Sequence, residues 1–584
     1  MKHARSSYYR HSWCGCAIIA LLAVIAYVPT FTGSFILDDR ALIEQNHYVT
    51  ELQSLRSYLS QEDGITDRGD AESYHTGYYR PLINLTYWID YKLWGMKASG
   101  FRTSNLILHL LCCLALYKLL FLLVDNRWAL CGIVALFALH PVNTESVSWV
   151  TSRNNIVVTL CILLSFYWYI IAWLKNSNMS FMLAVFCFAC ALLSKEFAVM
   201  LLPVFFLCHR LVFQGERYYA REVARYMPLV MIVIGYFILR YGVTDSLLTP
   251  ADMSDFWQRV YFVPYLIAWN LKLILLPWNL HSFHVSYPGE YLDWRALLSI
   301  VLFLALCLTL WCRRKDRLLL FSLLSALLFM FPVLNVIPTA AISLVAMRWI
   351  YLPMAFGSIA AALFLQWGIN RRRAFTVAVL CLFVAYCGVY TFVLNQYLWH
   401  DEDTFFTAEV EQFGNQQLYA GDMAEKLYQQ GRYEAAEQYF LIAVKSRPSN
   451  ARNYINYAAL LIDVGRYALA LSYLEEAKEL AKTVEDRKEL LNNMGVALVQ
   501  RGKPDEAADC LRRALEIDPE YAEAYNNYGV ALMHQGRIGE AILNFQEALK
   551  LNGEYADAAK NVKIALSMRD KKEGEHDVQK RLEQ

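Results

Sequence analysis

The sequence predicts an all-α protein in two parts. Residues 1–400 form a polytopic membrane bundle of about eleven transmembrane helices, and residues 401–566 form an α-solenoid of helical repeats. With 57% hydrophobic residues and a mean hydropathy of +0.27, the 584-residue chain is too apolar for a soluble protein. The C-terminal part, in contrast, is rich in Glu, Lys, Arg and Gln and repeats itself, and residues 567–584 read as a charged tail.

Apolar runs place the membrane helices. They lie at 16–32, 104–124, 128–140, 154–174, 180–193, 197–213, 227–243, 259–280, 296–312, 318–336, 349–367 and 375–396. No cleavage site follows the first run, so we expect it to stay as an anchor. Basic loops such as Arg371–Arg373 are predicted to be cytoplasmic. All of these loops lie on the cytoplasmic side only if the run 259–280 does not cross the membrane. The loops 32–100, 140–153, 244–294 and 332–349, and the repeats, are then exoplasmic.

These outer loops hold most of the conspicuous polar residues of the membrane part. Asp38 and Asp39 stand directly after the first apolar run. Carboxylates near hydrocarbon are costly unless they bind a cation, take up a proton or meet a polar substrate, so the pair predicts a functional site. The alternative is a solvated loop that only ends a helix. The other polar residues on this side include Arg80, His140, Glu145, Arg153, Lys195, Glu196, His281, His284 and Arg348.

Charge and cysteine content exclude other classes. With 54 Lys and Arg against 53 Asp and Glu, the net charge of +1 gives no support for nucleic-acid binding. Most of the 14 cysteines lie inside apolar runs, and they show neither a disulfide framework nor the spacing of a zinc site.

The soluble part repeats a helix-turn-helix unit. The turn sequences QGRYEAA, VGRYALA, RGKPDEA and QGRIGEA place glycines at 431, 465, 502 and 536, which are 34, 37 and 34 residues apart. Together with small residues at positions 8, 20 and 27 of each unit, this period is the tetratricopeptide signature. The predicted repeats cover about 417–450, 451–487, 488–521 and 522–555.

Asparagines recur on the first helix of the repeats. Asn456, Asn493 and Asn527 occupy the same position in three successive repeats. The first helices commonly line the concave groove of such an array, and an amide side chain can both donate to and accept from a peptide backbone. These residues therefore predict a peptide-binding groove, although ordinary helix-surface residues would give the same pattern.

The outer loops contain, in order, FILDDRALIEQNHYV, YYRPLINLTYWIDYKLWG, LHPVNTESVSWVTSRNN, LLSKEFAV and RWIYLP. With tetratricopeptide repeats behind them, the chain resembles the transmembrane and tetratricopeptide repeat-containing family of protein O-mannosyltransferases and its prokaryotic relatives. The resemblance implies a GT-C glycosyltransferase fold, exoplasmic transfer and a polyprenyl- or dolichyl-phosphate-linked sugar donor, usually dolichyl phosphate mannose in eukaryotes. It also implies that the aspartate pair of the family corresponds to Asp38 and Asp39.

The predicted residues fit transfer from a lipid phosphate. Such transfer needs a base for the acceptor hydroxyl and cations for the leaving phosphate. Asp38 or Asp39 is the predicted base, and the pair permits a magnesium or manganese ion without requiring one. The remaining predictions are Glu145 as a second catalytic carboxylate; Arg80, Arg153, Lys195 and Arg348 as phosphate ligands; and His140, Glu196 and Tyr351 as supporting residues.

Several of these residues have alternative explanations. Arg153 and Lys195 also fit side chains that reach from a helix to the membrane surface. Glu196 also fits an internal ion pair, and Tyr351 also fits an aromatic belt at the membrane surface.

Two other functions stay open at this stage. One is a non-catalytic membrane scaffold that presents the repeats to partners, and the other is a transferase of the same fold that acts on a lipid or a polysaccharide. The sequence also leaves open whether the membrane is a bacterial inner membrane, with periplasmic repeats, or the endoplasmic reticulum, with lumenal repeats.

Overall fold

The computed structural model describes residues 9–44, 46–50, 78–213, 219–244, 256–282, 293–336, 344–412 and 416–582. Within these ranges the regular structure is helical and contains no β-strand, as predicted. The chain divides into two compact units, Met1–Ala408 and Glu409–Gln584. His284, one of the predicted polar residues, lies outside the described residues.

The first unit consists of fifteen helices within the part of the chain that is described. They are α1 (Tyr9–Tyr27), α2 (His47–Thr50), α3 (Pro81–Trp94), α4 (Ala98–Leu123), α5 (Arg127–Leu139), α6 (Thr144–Ser148), α7 (Arg153–Lys175), α8 (Asn178–Leu192), α9 (Leu201–Cys208), α10 (Tyr219–Thr244), α11 (Phe256–Leu275), α12 (Trp294–Cys312), α13 (Arg317–Met330), α14 (Met347–Tyr397) and α15 (Glu402–Thr407).

The described helices support a multi-pass membrane protein. Seven of them are long and apolar enough to cross a membrane, or eight if the bent pair of α5 with the segment Pro141–Ser148 counts as one span. The apolar helices α8 and α13 are shorter. The run predicted at 259–280 forms α11, which does not pass this test of length and composition. The total of about eleven spans therefore stays a prediction.

Helix α14 is a hairpin of two helices. A straight helix of its 51 residues would be about 77 Å long, more than twice the apolar thickness of a bilayer. Its backbone breaks at Arg372, where φ is −142° and ψ is 66°. A Cβ on Gly368 would lie 3.0 Å from Thr376 Cγ2, a contact that residues eight apart make only if the chain turns back. The two halves match the separate apolar runs at 349–367 and 375–396.

The second unit is the predicted repeat array. Its helices are α16 (Gln416–Gln429), α17 (Tyr433–Ser446), α18 (Ala451–Asp463), α19 (Tyr467–Lys478), α20 (Val484–Gln500), α21 (Pro504–Ile517), α22 (Ala522–His534), α23 (Ile538–Leu551) and α24 (Ala556–Leu582). They form four helix pairs and one further helix. Each pair turns at a glycine with φ between 73° and 79°, a conformation that other residues rarely adopt.

The predicted charged tail is helical. Helix α24 runs to Leu582, and residues 567–571, the first of the tail, are exposed as expected. Its first half packs on the fourth repeat, where Ala558 and Ala565 are fully buried and Ala565 joins the core around Phe545. Asn561 follows Asn527 by one repeat length of 34 residues, so α24 begins as a fifth first helix that covers the apolar side of the array.

The helices of the fourth repeat approach so closely at Gly529 that a side chain does not fit. A Cβ there would lie 2.6 Å from Cε1 of Phe545, which is fully buried. We expect Gly529→Ala to lower the free energy of unfolding of the repeats by about 1–3 kcal/mol through overpacking. Limited proteolysis of the full-length protein along a urea gradient measures this. Adding Phe545→Leu makes room and should recover part of the loss; no recovery would contradict the packing argument.

Candidate functional site

Polar side chains gather where several helices of the first unit begin or end. The segment after α1 carries Asp38 and Asp39, Arg80 stands directly before α3, and Arg348 lies in the first turn of α14. The connections from α5 to α7 and from α8 to α9 supply the remaining residues, including Glu145 and Lys195. The site is therefore built from segments far apart in sequence.

The two aspartates have different environments. Asp39 is fully buried, and its Oδ1 and Oδ2 accept the backbone N–H groups of Thr151 (2.9 Å) and Ile36 (3.3 Å). Asp38 is exposed, and its side chain makes no hydrogen bond with the described residues. Leu37, directly before the pair, has φ of 51°, which is strained for a residue with a branched side chain. The strained turn thus sends one carboxylate inward and the other outward.

Both carboxyl groups hold protons more tightly than usual. Burial raises the pKa of Asp39 to about 6, although the Thr151 N–H bond opposes this. One side of Asp38 faces solvent, but the protein around the rest of its carboxyl raises its pKa, while the Arg348 charge lowers it. An outward carboxylate with a raised pKa suits proton uptake, whereas Asp39 fixes the loop to Thr151.

Glu145 and Arg348 form an ion pair beside Asp38. Glu145 is fully buried; its Oε2 accepts the backbone N–H of Arg348 (2.8 Å), and its Oε1 accepts from Arg348 Nη1. The carboxylate therefore also caps the positive N-terminal end of α14. The Arg348 guanidinium lies 4.9 Å from the ring centroid of Trp149, and its side chain is 24% exposed. Its Nε and Nη2 make no hydrogen bond with the described residues, so they can donate to an anion.

A second group of charges surrounds Lys195. This lysine is 6% exposed, and its Nζ donates to Asn155 Oδ1 at 2.7 Å. Next to it, Arg80 Nη2 donates to Glu196 Oε1 at 3.4 Å. Burial lowers the pKa of Lys195 to about 7; Arg80 and Arg348 lower it further, while Glu196 and Glu145 oppose them. Because both arginines act on one ammonium group, three of the four predicted phosphate ligands converge.

Arg153, the fourth predicted phosphate ligand, lies elsewhere. It is fully buried, with no path to the membrane surface, and it donates to Asp90, Asn105 Oδ1 (2.5 Å), Thr86 and the Phe101 carbonyl (2.9 Å). These contacts use both terminal nitrogens and Nε, so no donor remains for a phosphate. The geometry indicates a structural role for Arg153.

Three other predicted residues have structural contacts. His140 Nδ1 accepts the Val142 N–H (3.3 Å), so its Nε2 donates to the Ile274 carbonyl (3.0 Å). Tyr351 is buried in the bundle, where its hydroxyl lies 2.6 Å from His109 Nδ1, rather than in an aromatic belt. His281 is 9% exposed after α11.

Sequence reasoning missed two residues of the site. Asn155 orients Lys195, and nothing in its local sequence indicates this contact. Arg240 of α10 is 3% exposed and lies within electrostatic range of Glu196. Arg240 is the single charged residue of the apolar run 227–243, and such a residue is itself a signal of function, so it could have been found.

The site gives little support for a bound cation. Among the described residues, no three His, Cys, Asp or Glu side chains stand together as metal ligands. Both oxygens of Asp39 already accept backbone N–H groups. A metal held by the Asp38–Asp39 pair therefore stays a prediction without geometric support.

The asparagines of the repeats connect neighbouring helices. Asn456 Nδ2 donates to Glu425 Oε2 (3.1 Å), and Asn527 Nδ2 donates to Asn492 Oδ1 (2.9 Å). Asn493 makes no side-chain hydrogen bond with the described residues. Asn456 and Glu425 also line a cavity of about 80 Å³ between the first two repeats. The predicted peptide groove stays a prediction.

The fold and the site together define a class: a multi-pass helical membrane protein with a cation-rich site at helix ends, followed in the sequence by a tetratricopeptide array. Comparison with known families agrees. Residues 76–240 match the family described as dolichyl-phosphate-mannose-protein mannosyltransferase. Residues 449–520 and 492–559 match tetratricopeptide repeat families. These matches confirm the predicted resemblance to protein O-mannosyltransferases and the predicted repeats.

Individual relatives point the same way. The chain is 24% identical over 449 residues to the protein O-mannosyl-transferase F38B6.6 of Caenorhabditis elegans, covering 74% of this chain and 62% of that protein. It is 24% identical over 605 aligned positions to the protein O-mannosyl-transferase Tmtc3 of Drosophila melanogaster, covering 87% and 64%. The chain thus spans less than two thirds of the length of these relatives.

The crystal structure of MamA protein is among the solved structures that match, at 20% identity and a TM-score of 0.24, covering 27% of this chain and 84% of that chain.

Proposed function

We propose that this protein is a membrane glycosyltransferase that moves mannose from a dolichyl- or polyprenyl-phosphate carrier to a hydroxyl group of a protein on the exoplasmic side. The observation that carries the proposal is the exposed Asp38 carboxylate beside Arg348, in a site that also gathers Arg80 and Lys195. The family match over residues 76–240 and the O-mannosyl-transferase names of the relatives support the choice of sugar and donor.

The proposed reaction is a single displacement at C1 of the sugar. The acceptor hydroxyl oxygen forms the new bond to C1, the bond from C1 to the phosphate oxygen breaks, and the phosphate leaves on its lipid with the bonding electrons. Asp38 takes the hydroxyl proton, which a raised pKa favours. Asp39 acts indirectly, because its bond to Thr151 holds the loop that presents Asp38.

The cations bind the phosphate as its charge grows. Arg348 offers the two guanidinium nitrogens that Glu145 leaves free, and a guanidinium can grip two phosphate oxygens at once. Lys195 and Arg80 add charge from the neighbouring connection. Glu145 and Glu196 hold these side chains in place, because each accepts from one arginine.

The repeats supply a surface for the acceptor or for a partner protein. Asn493 and the cavity beside Asn456 support a groove for an extended segment. A groove tethered to the enzyme raises the local concentration of a protein acceptor. The proposal places this array in the periplasm or in the lumen of the endoplasmic reticulum.

The test is transfer by the purified full-length protein in detergent. Radiolabelled dolichyl phosphate mannose is mixed with exoplasmic proteins, a lipid fraction or a polysaccharide, with magnesium and manganese present. Label on protein is the expected result. If label appears only on lipid or only on polysaccharide, the proposal of a protein acceptor is wrong. If no acceptor is labelled while the repeats still capture protein, the enzyme proposal is wrong and the membrane scaffold is the remaining function.

The Lys195 ammonium predicts a pH dependence of donor binding. The donor is a phosphodiester and keeps one negative charge, whereas Lys195 loses its proton as pH rises through about 7. We therefore expect the Kd for dolichyl phosphate mannose to rise by up to about tenfold per pH unit above 7, until the higher pKa of the bound form is reached. Lys195→Gln should bind weakly at every pH. A variant with the wild-type pH profile would contradict this role.

A further inference from the structure

The loop that carries Asp38 and Asp39 is joined to the end of α14 through a buried arginine. Arg102 of α4 is 1% exposed and donates only to backbone carbonyl groups. Its Nη1 reaches Thr30 (2.5 Å) and His400 (3.1 Å), and its Nη2 reaches Ser34 (2.6 Å). The Arg102 guanidinium therefore binds both segment 30–34 and His400, which follows α14.

The side chain of His400 makes a second connection. Its Nε2 lies 3.0 Å from Thr32 Oγ1, and its Nδ1 lies 2.7 Å from Asp401 Oδ2. The backbones also touch, because a Cβ on Gly33 would lie 1.6 Å from the His400 carbonyl oxygen. Only glycine allows this approach, so residues 30–34 lie directly against His400.

A third connection follows the aspartates. Arg40 Nη2 lies 2.6 Å from Glu402 Oε2, in the first turn of α15. Segment 30–40 is thus attached to 400–402 both before and after Asp38 and Asp39. An exposed ion pair alone contributes little to stability. Here the Arg40–Glu402 pair adds to the hydrogen bonds that Arg102 makes at the start of segment 30–40.

We propose that His400 is a positioning residue for Asp38, and that segment 400–402 forms an anchor that keeps the aspartate loop in its working shape. The inference rests on the proposed function. Its physical basis is Leu37: a strained turn persists only where surrounding contacts hold it. Among the described residues, the His400 side chain bonds to Thr32 and Asp401 and not to Asp38, Asp39 or a proposed phosphate ligand, so it acts through the loop.

The test compares His400→Leu with His400→Gln in the full-length protein. Leucine removes the bond to Thr32, whereas the glutamine amide can replace it. We expect His400→Leu to lower kcat by about two- to tenfold, because the loop loses one hydrogen bond, while KM for the donor stays the same. His400→Gln should recover most of kcat. His534→Leu, an exposed histidine of the repeats, is the matched control.

Hydrogen exchange separates the anchor from the catalytic proposal. The amide hydrogens of Asp39 and Leu42 are bonded inside the loop, to the carbonyls of Ile36 (3.0 Å) and Asp38 (2.9 Å). They should exchange about two- to tenfold faster in His400→Leu than in the wild type. Faster exchange in a protein without transfer activity would support the anchor and overturn the proposed function. Unchanged exchange and unchanged kcat in an active protein would overturn the anchor. If His400→Leu does not fold, Thr32→Val removes the same bond from the loop side.

Discussion

Replacing Asp38 with Asn is expected to lower the rate of mannose transfer by about 10²–10⁴-fold, the usual contribution of a general base. The amide keeps the size of the side chain but cannot take up the acceptor proton. Because the Asp38 side chain is exposed and bonded to no described residue, stability should not change. Initial rates at saturating donor measure the effect, and a donor-binding assay should give an unchanged Kd.

Two control variants make this result specific. Asp39→Asn retains an oxygen for the Thr151 N–H but loses the charge near Arg102, so it should lower thermal stability as well as rate. Asp125→Asn changes an exposed aspartate of the loop between α4 and α5 and should change nothing. If Asp38→Asn keeps full activity and Asp39→Asn loses it without loss of stability, the roles of the two carboxylates are reversed.

Replacing Arg153 with Met is expected to destabilise the membrane unit by about 3–5 kcal/mol, because Asp90 is then left as a buried charge without its partner. Thermal unfolding of the full-length protein in detergent, followed by near-ultraviolet circular dichroism, measures the change. The double variant Arg153→Met, Asp90→Leu removes both charges and should recover part of the lost stability.

The same variant decides between two roles for Arg153. A structural role lowers the unfolding temperature and leaves the donor Kd of the folded fraction unchanged. If Arg153→Met instead has a normal unfolding temperature and its Kd for the donor rises at least tenfold, Arg153 is a phosphate ligand. Arg348→Met is the comparison, since it should weaken donor binding through an arginine that still has free donors.

The parts that sequence predicted well are governed by local or periodic rules. The repeats follow from a 34-residue period, and their turn glycines have the positive φ that their position requires. The convergence of Arg80, Lys195 and Arg348 was predicted from helix ends assigned to one side of the membrane, and the three charges do interact in the structure. The same assignment also included Arg153, which lies elsewhere.

What sequence could not supply depends on contacts between distant residues. Asp38 and Asp39 look equivalent in the chain, and only the Leu37 turn and the Thr151 N–H, 112 residues away, make one outward and the other buried. Arg153 and Asp90 are 63 residues apart, and the local sequence around neither residue predicts their ion pair. The same holds for Arg102 and His400.

The break in α14 has a consequence for biogenesis. The two halves of this hairpin are joined directly at Arg372, so we expect them to enter the lipid together during synthesis, with Arg371, Arg372 and Arg373 at the tip. Clustered arginines resist translocation, which fixes the direction of the second half. In the proposed topology, these three adjacent residues favour the exoplasmic side for the repeats before any repeat has been made.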